Sequence, residues 1–183
     1  MARRTRSVTL RIRIVQSGEN VPPHIGRENL TPDAEDAVLD SLFGPAPEDE
    51  TGPAAVELTT GAILEESEDG RLRLRYRESE LSGMEGTTTE ISFLPAEPSL
   101  VTIERSGTVR CALVLEPGRY HTGVYETPVL PLTVTTAAFR LENGIGADGG
   151  RMDVEYLLRI GGISAMRTHL TLDVVPHGGA APQ

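Results

Sequence analysis

No lysine occurs in the 183-residue chain; all 17 basic residues are arginines. Schiff-base chemistry on a lysine side chain is thereby excluded, as is a Walker-type phosphate loop, which needs its lysine. Tryptophan is also missing, and aromatic residues make up only 4%, which counts against a surface on which bases or sugars stack. The single cysteine, Cys111, cannot form an internal disulfide or a cysteine-based metal cluster. Its setting, TVRCALVL, reads as a strand and predicts a buried, inert thiol. No apolar run reaches the roughly 20 residues of a membrane span. The N-terminal MARRTRSVTLRIRIVQ alternates arginine with apolar residues, unlike the continuous apolar stretch of a signal peptide. A soluble, cytoplasmic protein is expected.

Positive charge is in deficit as well. The net charge is −10 and the isoelectric point about 4.9, the opposite sign from a phosphate-backbone binder, so nucleic acid is not an expected partner. The histidines, His24, His121, His169 and His177, show no metal-ligand spacing, and neither a metal nor a cofactor is expected. No Gly-x-Ser-x-Gly elbow supports a hydrolase triad. The glycines of ENGIGADGG lack the strand-to-helix context of a phosphate cradle and read as a hairpin loop.

What the chain has in abundance is alternation of apolar and polar residues. SVTLRIRIV sets Val8, Leu10, Ile12 and Ile14 against Thr9, Arg11 and Arg13, and similar segments recur to the C-terminus. Turn signals separate them at Asp69-Gly70, Ser106-Gly107, Pro117-Gly118 and Gly161-Gly162. About ten strands in sequence with almost no helix predict an all-β antiparallel up-and-down barrel, since closure removes the exposed edges of a long meander. A single domain over residues 1–176 is expected, with a disordered tail at 177–183. An acidic, proline-rich insertion at 18–53 interrupts the first two strands. Within it, TPDAEDAVLDSLFG predicts one short helix at about 32–43, capped by Thr31 with Pro32 in the first turn and stopped by Gly44. The outward arginine rows read as solvated faces balanced by acids on adjacent strands.

One strand raises a functional question. In RLRLRYRESE the face that begins with Leu72 and Leu74 ends in Tyr76 and Glu78, with Glu80 near the rim. The same parity aligns Arg105 with Val101 and Ile103, and groups His121, Gly123, Tyr125 and Thr127. Polar residues thus end several apolar faces. A buried carboxylate needs a partner, and Arg105 is the candidate partner of Glu78, because a guanidinium can bind a carboxylate through two bonds. His121 is a candidate base, although a strand histidine is more often simply hydrogen-bonded in place.

The segments YRESELSGMEGTTTEI, TIERSGTV, VYETP and TVTT, in that order, resemble the YwiB-like bacterial family, a domain of unknown function with a lipocalin-like (calycin) barrel. The residues that carry the resemblance are Tyr76, Glu78, Gly83, Thr87 to Thr89, Arg105, Gly107, Tyr125, Thr127, Pro128, Thr135 and Thr136, within residues 55–175 plus the first strand. The family's first loop is typically short, where this chain carries its insertion. The resemblance implies a calycin-like barrel of about 8–10 strands and no particular activity. The expected function is binding of a small polar, anionic or amphipathic molecule in or at the mouth of the barrel, through Tyr76, Glu78, Arg105, His121, Tyr125 and Thr127. No catalytic residue is assigned. The alternative is a filled-core interaction module acting through its outer surface, the insertion or a homodimer contact. An interior pocket below roughly 300 Å3 would favour that alternative.

Overall fold

Alternating side chains close the chain into a barrel. The computed structural model describes residues 4–19, 54–80, 84–161 and 164–177. Ten strands lie among the described residues: β1 (Arg4–Glu19), β2 (Ala54–Glu66), β3 (Leu72–Arg77), β4 (Thr88–Phe93), β5 (Val101–Ser106), β6 (Arg110–Leu115), β7 (Tyr120–Glu126), β8 (Pro131–Asn143), β9 (Gly150–Ile160) and β10 (Ser164–Pro176). Every strand pairs antiparallel with its sequence neighbour, and β1 closes the sheet against β10. No free sheet edge is left, so the expected up-and-down barrel is present, with ten strands. The closure is long: β1 runs antiparallel to β2 from Arg4↔Glu66 to Gln16↔Ala54 and to β10 from Val8↔Pro176 to Glu19↔Ala165.

β1 continues through Glu19, so the first residues assigned to the insertion are strand. The helix expected at about 32–43 lies outside the described residues. His177, expected to begin a disordered tail, is held through its Nε2 at 2.9 Å from Thr9 Oγ1. Among the described residues no helix is long and apolar enough to cross a membrane.

Directly opposed residues share a face, so the registers stack the interior into layers. Leu72, Phe93, Val101 and Leu115 form one row across β3 to β6, and Leu74, Ile91, Ile103 and Leu113 form the next. All eight are buried. Outside, arginines meet acids across the strands: Arg75 opposes Glu90 and bonds it at 2.7 Å, and Arg13 faces Glu57 at 3.2 Å. Arg13, Arg73 and Arg75 therefore sit beside acids on neighbouring strands, and such exposed pairs each contribute little stability.

The wall is thinnest between β6 and β7, where only Arg110↔Glu126 and Cys111↔Tyr125 are paired. The buried Thr136 hydroxyl on β8 reaches across to donate to the Val114 carbonyl at 2.6 Å. It supplies a hydrogen bond that the short ladder does not. Thr136→Val keeps the volume but leaves that carbonyl without its donor. A loss of about 1–3 kcal/mol in urea unfolding is expected; an unchanged midpoint would mean that water or backbone takes the hydroxyl's place.

Candidate functional site

The third interior row departs from the other two. Tyr76 on β3 opposes Thr89 on β4, Thr89 opposes Arg105 on β5, Arg105 opposes Cys111 on β6, and Cys111 opposes Tyr125 on β7. It lies near the C-terminal ends of β3, β5 and β7, where the apolar layers give way to polar ones. Glu78, just past β3, adds a buried carboxyl group, 8% exposed. Its backbone N–H donates to the Thr87 carbonyl at 2.9 Å, and the Thr89 hydroxyl donates to its side chain at 2.6 Å.

Arg105 is the unusual member. Glu78 accepts from Thr89, and no ion pair joins it to Arg105. The expected carboxylate–guanidinium contact is not made, because Tyr76 and Thr89 stand in the row between them. The Arg105 Nε is sealed from solvent without a hydrogen-bond partner, and so is the Tyr125 Oη. The rest of the side chain borders an interior cavity. Burial opposes the guanidinium charge most strongly, yet Tyr125, Cys111, Tyr76 and Tyr156 together hold its pKa above the ordinary value. These four neighbours are neutral near pH 7. Burial pushes the Tyr125 hydroxyl up to about 12, with Arg105 holding it back. Burial likewise raises Cys111 and Tyr156, and burial followed by the Glu78 charge raises Tyr76. Arg105 is therefore a largely buried cation that makes no ion pair, with the Glu78 carboxyl group in the wall of the same cavity.

The cavity measures about 90 Å3. Arg105, Tyr76, Glu78, Tyr156, Thr168 and Gln16 supply its polar wall, and Ile12, Leu58, Leu158, Leu170 and Leu172 are among its apolar lining. The cavity thus lies between the polar layer and the row next to it, whose Ile91, Ile103 and Leu113 also line it. Among the described residues no group of three or more His, Cys, Asp or Glu side chains is arranged to hold a metal ion.

The sequence matches the family described as Domain of unknown function (DUF1934) over residues 46–172. The chain belongs to this family. The fold agrees with the crystal structure of the YwiB protein from Bacillus subtilis, at 15% identity and a TM-score of 0.62, covering 96% of this chain and 94% of that one. At that identity the likeness concerns the fold alone. No curated protein matches the sequence.

In this DUF1934 barrel, four of the six residues singled out by parity, Tyr76, Glu78, Arg105 and Tyr125, come together around the polar layer. The other two do not. His121 lies four residues up β7 from Tyr125, about 13 Å at strand rise, and its Nε2 sits 3.0 Å from Glu116 Oε2. The Thr127 hydroxyl closes the β7–β8 turn, accepting from the N–H groups of Val129 and Leu130 and donating to the Leu130 carbonyl. Tyr156, Thr168 and Gln16 were not singled out. Each shares parity with apolar inward residues of its strand, the same signal that marked Tyr125, but the closure that brings β9, β10 and β1 to the site involves strands far apart in sequence.

Proposed function

We propose that this barrel binds a small anionic or amphipathic molecule inside its polar end, in the cytoplasm. The observation that carries the reading is Arg105, largely buried, with its Nε sealed and unpartnered, joined to no carboxylate by an ion pair, and bordering the cavity. An isolated buried charge costs several kcal/mol. A fold that keeps one beside empty space gains if an anion fills that space. Tyr76 and Glu78 would shape the polar wall around it, with Tyr125 in the same row but outside the cavity lining, while His121 and Thr127 lie too far away or are engaged in the turn. No side chain is assigned a catalytic role.

The cavity volume favours a second reading. At about 90 Å3 it is smaller than the roughly 300 Å3 of a drug-sized ligand site. A module acting through its outer surface would need no interior ligand. Tyr120 and Val124 on β7 and Phe139 on β8 are exposed and would suit a contact with a second copy or another protein.

Native mass spectrometry on protein purified without denaturant separates the two. An excess mass that disappears after denaturation is expected for interior binding. A bare mass that persists after the protein is incubated with small anions, together with a concentration-dependent dimer or a captured partner, would support the surface module instead.

A further inference from the structure

The size and wall chemistry of the cavity narrow the ligand further, on the footing that the interior is the binding site. An engineered apolar cavity of about 150 Å3 holds benzene, with six non-hydrogen atoms. By that scale about 90 Å3 holds roughly four. Lipids and nucleotides are too large.

Charge narrows it again. Arg105 contributes one positive charge, and Glu78 borders the same cavity. A dianion would bring two negative charges against one guanidinium, with the Glu78 carboxyl group in the same wall. A neutral molecule would leave the guanidinium as it is. Glu78 is turned to the Thr89 hydroxyl and not to Arg105, so a monoanion matches the one guanidinium charge, and the planar guanidinium fork matches a carboxylate with two parallel hydrogen bonds. Other parts of the wall, Ile12 on β1, Leu172 on β10 and Ile103 beside Arg105 on β5, offer nothing to hydrogen-bond and accept methyl and methylene groups.

We propose that the ligand is a monocarboxylate of about two to four carbons, its head on Arg105 and its alkyl end against Ile12, Ile103 and Leu172. Acetate and propionate have the required size.

The full chain is titrated with sodium propionate, propionamide and sodium phosphate at equal ionic strength, with binding followed by amide chemical shifts. Saturable propionate binding is expected, with propionamide and phosphate at least about tenfold weaker. Propionamide or phosphate binding as tightly as propionate would overturn the carboxylate assignment and leave interior binding standing. Binding by none of the three, together with a bare native mass, would sink interior binding as well. Two variants place the site. Arg105→Met removes the cation, and Leu58→Phe fills the cavity while keeping Arg105. Each is expected to remove propionate binding while the circular dichroism of the barrel persists. Propionate binding that survives Leu58→Phe puts the carboxylate elsewhere and overturns the proposal.

Discussion

Arg105→Met is expected to melt at a higher temperature than the parent chain, while losing its interior ligand. In the ligand-free barrel the guanidinium has an unsatisfied Nε and no carboxylate, and the phenols and thiol around it are neutral near pH 7. Methionine has a similar length, no charge and enough flexibility to fill an irregular space. Replacing buried charges with well-packed apolar side chains is often neutral or stabilising, by about 1–4 kcal/mol. For a chain of this size that is roughly 2–4 °C per kcal/mol. The gap should close with ligand, and reverse where the variant's gain is below about 2.7 kcal/mol. At one hundred times its dissociation constant, a ligand stabilises the folded state by about 2.7 kcal/mol, and only the parent chain can gain this. Differential scanning calorimetry of both proteins, with and without propionate, reads all four values. A ligand-free variant that melts well below the parent would make Arg105 a structural residue, holding Tyr125 and Cys111 to close the barrel end.

The contrast between what alternation reveals and what it hides is clearest at this residue. A strand repeats every two residues, so Leu72, Leu74 and Tyr76 declare a common face with no knowledge of the neighbouring strands. The same parity aligned Arg105 with Val101 and Ile103, and grouped Tyr125 with His121, Gly123 and Thr127. Parity carries no depth, however. His121 and Tyr125 face the same way on β7, but His121 lies toward the opposite end, beside Glu116. Nor does parity choose partners. Glu78 and Arg105 have opposite charges, yet the ladder sets Thr89 between their strands, and Thr89 takes the carboxyl group. Register across β3, β4 and β5 decides that, and register depends on turn geometry. Thr127 shows a third limit: its parity suits the site, but its hydroxyl is committed to a turn. The ten strands were legible because each is a local pattern. The cavity was not, because its far wall comes from β1, β9 and β10.

Gly107→Ala is expected to be among the most damaging single changes in this barrel. Gly107 has φ of 131° in the β5–β6 turn, a conformation that L-residues rarely adopt. A Cβ there would overlap the Gly86 carbonyl oxygen and come within 3.0 Å of the Thr87 Cα. Both obstacles are backbone, so no side-chain rotation relieves them. The approach is close because the two turns are clamped together. The Thr108 hydroxyl donates to the Glu85 carbonyl at 3.2 Å, and the Val109 N–H donates to Thr87 Oγ1 at 3.4 Å. Thr87 in turn holds the Glu78 backbone. Moving residues 86 and 87 aside would therefore pull Glu78, and with it Thr89, away from the polar layer. Strain and overlap together are expected to cost about 3 kcal/mol or more, or roughly 6–12 °C in melting temperature. Gly70→Ala is the matched control. Gly70 also has positive φ, at 80°, but a Cβ there meets nothing within 4 Å, so only the backbone cost of about 1–2 kcal/mol applies. The difference between the two variants measures the close approach itself. Equal losses would mean that the turns slide apart at no cost and that Glu78 does not depend on them. A larger loss at Gly107, accompanied by weaker propionate binding in the surviving fold, would tie the turn to the interior site through Thr87.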